Sequence, residues 1–217
     1  MKNKLIALVS LLGLSINAAA TENYSADIKY TSDFFFRGQL KSNEAVQSAV
    51  GFSKSAKTLK FSAGAFTNQA TGTGADTYIL NGGVGKSFAD DLLSVYAGLN
   101  HIEYVAGAAS LEAQISFGVD WYLSPRVNVY RDTDDSLYTY ELELGHVFDL
   151  EILSLGIKGL AGNADTSSRT SNDYYSVSAE LSRSITDNIE INTQLAHVNS
   201  DAIASENVVS AGISFSF

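Results

Sequence analysis

From Leu111 to Trp121 the chain alternates without a break. Leu111, Ala113, Ile115, Phe117, Val119 and Trp121 are apolar, while Glu112, Gln114, Ser116, Gly118 and Asp120 between them are polar or small. A period of two belongs to a strand with one oily face and one wet face. The last stretch repeats it, with Val209, Ala211, Ile213, Phe215 and Phe217 on one face and Ser210, Gly212, Ser214 and Ser216 on the other. An uncovered terminal strand leaves an edge that invites pairing with other molecules. A closed barrel joins the last strand to the first and has no edge.

Counted forward, the candidate strands cover residues 24–36, 46–54, 59–66, 78–86, 93–101, 111–121, 126–130, 138–146, 153–161, 174–183, 189–198 and 208–217. That is twelve, and a single-chain barrel with both ends on one side requires an even number. The predicted fold is therefore all-β, a 12-stranded antiparallel up-and-down transmembrane β-barrel of outer-membrane type. Connections after even strands are short, at 55–57, 87–91, 123–125, 147–152 and 184–188. Those after odd strands are mostly longer and polar, at 37–45, 67–77, 102–110, 131–137, 162–173 and 199–207. This predicts tight periplasmic turns and larger external loops. Aromatic residues gather near strand ends, which predicts two girdles at the membrane surfaces. Phe52, Phe88, Trp121 and Phe148 belong to the inner one, and Phe34, Phe35, Phe36, Tyr104, Tyr130 and Tyr174 to the outer one.

The front of the chain and the composition agree with export. Lys2 and Lys4 precede an apolar run from Leu5 to Ile16 and then Ala18-Ala19-Ala20, the pattern of a signal peptide over residues 1–20. The run is shorter than the ~20 residues that a helix needs to cross a bilayer. Its removal takes two lysines and no acid, moving the net charge from −10 to about −12, so nucleic acid is not an expected partner. Residues 21–217 read as a single barrel domain. With no Cys there is no thiol chemistry, disulfide or Cys-ligated metal, and no cofactor is expected. After the signal peptide no apolar run approaches a helical span, so a membrane location means a barrel.

Parity assigns twelve ionisable side chains to the inner wall: Asp27, Lys29, Asp33, Lys60, Glu112, Asp120, Arg126, Glu141, Glu143, Lys158, Glu180 and Glu190. Eight are acids and four are bases. Antiparallel pairing places Arg126 near Glu143, and Glu141 near Lys158. Twelve strands leave a bore on the order of 10 Å, enough for small solutes. Two readings follow. One is a narrow porin-like channel with a mildly acidic lumen. The other is a closed structural or surface-interaction barrel whose salt-bridged interior holds it shut, and whose loops at 67–77 and 162–173 meet a ligand or partner.

Catalysis by such a barrel needs a hydroxyl with a His beside it. His101, His146 and His197 are dispersed and carry no surrounding signature, so neither an enzyme nor a metal site is predicted. Gly72-Thr73-Gly74 lacks the Lys and following helix of a phosphate loop and reads as an exposed loop tip. Asp132, Asp134 and Asp135 read as a solvated loop.

One motif is more specific. Ser32-Asp33-Phe34-Phe35-Phe36-Arg37-Gly38, followed by Glu44-Ala45-Val46-Gln47, resembles the opening of an uncharacterised proteobacterial outer-membrane barrel family labelled Gcw_chp. That family opens with Ser-Asp-Tyr-x-Phe-Arg-Gly and continues to Pro-Ala-Val-Gln. Here Phe34 replaces the Tyr and Glu44 the Pro. The family motif thus maps to Ser32, Asp33, Phe36, Arg37 and Gly38, over roughly the first forty residues after the signal peptide. The resemblance implies a small outer-membrane barrel of Gram-negative bacteria with no established activity. The ending likewise resembles terminal strands of such barrels, in which Phe217, with Phe215, is a signal read by the barrel-assembly machinery. Physically, Asp33 and Arg37 share the inward face of the first strand near the outer mouth, where they are expected to fix the strand end.

Overall fold

A computed structural model describes residues 22–105, 107, 109–166 and 170–217; the expected signal peptide lies outside them. Twelve strands follow in order: β1 Glu22–Phe36, β2 Gln39–Ala56, β3 Leu59–Ala70, β4 Thr77–Phe88, β5 Leu93–Tyr104, β6 Ala109–Val119, β7 Arg126–Asp132, β8 Tyr138–Asp149, β9 Ser154–Asp165, β10 Ser171–Thr186, β11 Ile189–Ser200 and β12 Ile203–Ser216. Each pairs antiparallel with its sequence neighbours, and β12 returns to β1, closing the barrel.

The seam is the one the terminal alternation calls for. Ala26 faces Phe215, Ile28 faces Ile213 and Tyr30 faces Ala211, apolar against apolar. At the very end, Phe217 and Tyr24 exchange both backbone hydrogen bonds, at 2.9 and 3.0 Å. The outward faces carry Ile28, Leu99, Phe117, Val177, Leu195 and Val209, all between 52% and 56% exposed. In water such a belt aggregates, and in lipid it is the solvent-matched surface.

The connections differ from the expected asymmetry. Inner turns occupy 57–58, 89–92, 120–125, 150–153 and 187–188, while outer connections occupy only 37–38, 71–76, 105–108, 133–137, 166–170 and 201–202. Polar stretches expected as loops at 37–45, 162–173 and 199–207 are largely strand. A ladder is held by backbone hydrogen bonds, so it continues past the membrane where outward side chains turn polar. Polarity marked the exit from lipid, not the end of the strand. The tip Gly72-Thr73-Gly74 is exposed but not detached: Ser42 bridges Gly74, and Asn43 N–H donates to Thr73 O at 2.8 Å.

Strand tilt sets which residues share a level. The hydrogen-bonded path that begins at Lys60, near the inner end of β3, passes through Gly85, Tyr96, Ser116, Asn128, Glu141 and Gly162. It arrives at Tyr174, near the outer end of β10. Pairing along the ladder therefore climbs from one mouth toward the other, as closure of a sheared barrel demands.

Candidate functional site

The most developed site is the lumen under the outer mouth. β1 and β2 are joined by a two-residue turn in which Arg37 (φ 53°) and Gly38 (φ 71°) both adopt the left-handed region, the geometry that matches hairpin twist. Glycine accepts this at no cost, whereas Arg37 does not. The strain is offset by what the arginine reaches. Its Nη1 and Nη2 donate to Glu112 Oε1 and Oε2 on β6 at 2.5 and 2.6 Å, a bidentate pair. Nη1 also donates to Thr139 on β8 at 3.2 Å. The guanidinium lies 4.2 Å from the Tyr130 ring centroid on β7 and 4.9 Å from Phe36.

The turn backbone is anchored on the other wall. Asn172 Nδ2 donates to Arg37 O at 3.2 Å, and Ser200 Oγ donates to Gly38 O at 2.7 Å. A Cβ added at Gly38 would stand 2.6 Å from Tyr174 Cβ, so the glycine is needed for contact as well as for φ. Lys41 Nζ sits 4.7 Å from the Tyr104 ring centroid on β5. One hairpin tip thus touches β5, β6, β7, β8, β10 and β11. It leans across the outer mouth as a roof.

Beneath the roof, cavities follow one another down the bore. The upper one, about 400 Å³, is lined by Arg37, Glu112, Tyr130, Glu141 and Tyr174 together with apolar Phe35, Ile79, Ile102, Leu160 and Val198. The apolar patch breaks the rule of a polar bore. It gives the hairpin something to pack on, and Ile102 is only 2% exposed. Two lower cavities, about 750 and 470 Å³, share Arg126. The larger is lined by Lys60, Asn81, Tyr96, Ser116 and Gln114, and the smaller by Glu143, Lys158, Ser178, Glu180 and Gln194.

The residues expected on the wall distribute as follows. Glu112 is captured by Arg37. Arg126 and Glu143 are register partners, as parity placed them. Glu141, however, does not meet Lys158. The β8–β9 register sets Glu141 against Gly162 and Lys158 against Gly145, and Lys158 Nζ instead reaches Glu143 Oε2 at 2.5 Å. Glu141 accepts from Tyr174 Oη at 2.7 Å. Asp33 accepts from Asn43 at 2.5 Å and from Ser32 at 2.9 Å, not from Arg37. Lys60 and Glu180 line the lower cavities. Asp27 and Glu190 both pair with Ser214 from either side of β12, at the inner half of the wall, and Lys29 stands opposite Gly212. Asp120 is a correction: β6 ends at Val119, and Asp120 is exposed in the inner turn 120–125, its N–H bonded to Leu92 O.

The outer girdle needs a correction too. Phe35, Tyr130 and Tyr174 line the bore. The signal was present, since Tyr130 shares strand parity with Arg126, and Tyr174 with Glu180. Tyr96 was overlooked for want of a charge. Its ring lies over Gly83 and Gly98, where an added Cβ would come within 2.5 and 2.6 Å of the Tyr96 hydroxyl.

Lys158 has a side chain 53% exposed in the bore, so its pair with Glu143 is screened by water. Lys158→Met is expected to lower folding stability by under ~1 kcal/mol, read as a small shift of the urea midpoint.

Closed strands, an even count, a lipid-matched outer surface and a polar bore define the class. The chain is an outer-membrane β-barrel and resides in the outer membrane, in contact with its lipid. Solved structures with this architecture include the COG4313 outer membrane channel from Pseudomonas putida F1, at 8% identity and TM-score 0.60, with 94% of this chain and 97% of that one covered. The KdgM porin superposes at 12% identity and TM-score 0.61, covering 89% of this chain and 99% of its own. The NanC porin does so at 10% identity and TM-score 0.60, covering 88% and 98%. At such identities the likeness is one of fold. No family model matches the sequence, and no curated protein matches it.

Proposed function

We propose that the barrel is a narrow porin-like channel for small solutes, with a mildly acidic lumen and a first hairpin that roofs its outer mouth. The observation that carries this is the chain of cavities from the inner turns to the underside of the roof, of which the two lower ones are walled largely by charged residues with Ser, Asn, Gln and Gly. A barrel built only as a scaffold gains stability by filling that space. The acidic surplus is smaller than parity suggested, because Glu112 and Glu143 are paired and Asp120 is off the wall. What remains favours cations weakly.

No hydrolytic activity is proposed. His146 Nδ1 lies 2.6 Å from Tyr122 O, and His197 Nδ1 lies 3.0 Å from Asn207 Oδ1. The motif resemblance of Ser32 to Gly38 gains a physical content in this reading, since its Phe36-Arg37-Gly38 builds the roof. Phe215 and Phe217 at the seam fit a strand presented to the assembly machinery.

The second reading, a closed barrel, draws on the same roof. Its surface loops are short, with 71–76 laid along β2. Single-channel recordings separate the two. The wild type is expected to show rare, small openings, and Glu112→Gln sustained ones with a reversal potential on the cation side in a salt gradient. A Glu112→Gln barrel that never conducts would establish the closed reading, and anion preference would remove the acidic lumen.

A further inference from the structure

In the inner half of the bore, four consecutive strands carry charges of alternating sign into one cavity of about 470 Å³: Arg126 on β7, Glu143 on β8, Lys158 on β9 and Glu180 on β10. The two inner members neutralise each other at 2.5 Å. The two outer members do not. Among the described residues neither Arg126 nor Glu180 makes a hydrogen bond or ion pair, although Arg126 stands directly opposite Glu143 in the register. A cation and a carboxylate without hydrogen-bonded partners therefore mark the two ends of the cavity, although the Arg126 charge also acts on the Glu143 carboxyl.

The rest of the inner half extends this polarity. Lys60 joins Arg126 on the adjoining cavity wall, and Glu190 and Asp27 lie beyond Glu180, on β11 and β1. Lys29, next inward-facing residue above Asp27, is the exception on the acidic side. Strands β3–β7 and β10–β1 face each other across a twelve-membered ring, so the inner half of the bore has a basic side and an acidic side. A field directed across a bore leaves net ion flow little biased and orients molecules that carry both charges.

We propose that this cavity is a binding site for zwitterionic solutes of short-peptide length, with the solute carboxylate on Arg126 and its ammonium on Glu180. A planar, bidentate guanidinium suits a carboxylate, and a lone carboxylate suits an ammonium. Three interstrand steps of ~4.8 Å, which lead from Arg126 through Glu143 and Leu160 to Ser176, and a four-residue offset along β10 from Ser176 to Glu180 separate the two backbones. Both side chains lean inward from them, leaving a span that an extended tripeptide, at ~3.5 Å per residue, fills. The site deepens the channel reading by naming a solute class. It is reached from the inner mouth, where Ser124 of the inner turn lines the same cavity, and does not require the roof to move.

Equilibrium binding to the detergent-solubilised full barrel tests it independently of conduction. Triglycine is expected to bind about tenfold more tightly than N-acetyltriglycine or triglycinamide, each of which lacks one charge. Arg126→Gln is expected to erase the advantage over triglycinamide, and Glu180→Gln the advantage over N-acetyltriglycine. The exchange Arg126→Glu with Glu180→Arg restores triglycine binding, with the peptide reversed. Equal binding of the three peptides, or no effect of either glutamine variant in barrels that keep their heat-modifiable gel shift, overturns the proposal. A barrel that never conducts, yet binds triglycine in this pattern, refutes the channel and leaves the site standing.

Discussion

Arg37→Ala is expected to destabilise the barrel by about 3–5 kcal/mol and to open its outer mouth, because it leaves a buried carboxylate without a partner. Glu112 has a side chain only 6% exposed, and Arg37 supplies both hydrogen bonds to its oxygens. The same change removes the cation resting on Tyr130 and the donor to Thr139. The remaining anchors, Asn172 on Arg37 O and Ser200 on Gly38 O, are single neutral hydrogen bonds worth about 1 kcal/mol each. They do not hold the hairpin down alone. Adding Glu112→Leu is expected to recover most of the lost stability, since an apolar residue then replaces the stranded charge, while the mouth stays open. Urea unfolding of the single and double variants, with conductance of each, checks both halves. A midpoint for Arg37→Ala within ~1 kcal/mol of the wild type, or a double variant no more stable than the single, would refute the latch.

The other large effect lies at the seam. A Cβ at Gly212 would stand 2.5 Å from Lys29 Cβ, 2.7 Å from the Ile28 carbonyl oxygen and 3.1 Å from Lys29 Cα. None of these is the far end of a flexible side chain, so β12 or β1 must move as a whole. Register at this seam runs from Ser25 with Ser216 to Thr31 with Ser210, and Gly212 sits in its middle. Gly212→Val is expected to cost about 3 kcal/mol, at the upper end of overpacking, and to weaken closure itself. Unboiled protein on a detergent gel should then run at the position of the unfolded chain. Gly159→Ala is the matched control, because no heavy atom lies within 4 Å of its added Cβ. If both variants migrate as folded barrels with equal urea midpoints, the seam is looser than its geometry implies.

Much of this was legible before folding. In a strand the side chains alternate by necessity, so one clear segment such as Leu111 to Trp121 sets inside and outside for all its members. That logic placed Glu112, Arg126, Glu141, Glu143, Lys158 and Glu180 on the bore side, and carried Tyr130 and Tyr174 with them, although their aromatic character suggested a membrane girdle instead. It also paired Arg126 with Glu143, on the adjacent strands β7 and β8. It failed one strand further. Glu141 and Lys158 miss each other because β8 and β9 run on to Asp149 and from Ser154, and the offset set by that turn is not visible in polarity.

The strand number, the outward belt, the inward charges and the closure of β12 on β1 are consequences of periodicity, a local property that every residue carries with its two neighbours. The partner of Arg37 is not. It and Glu112 lie 75 positions apart, with strands β2 to β5 between them, and the meeting depends on the shear that carries each ladder toward the outer mouth and on a turn with two positive φ angles. Tilt and shear are properties of the closed ring as a whole, fixed when the last strand finds the first. The roof over the lumen, and the opposition of Arg126 to Glu180 below it, exist only after that closure.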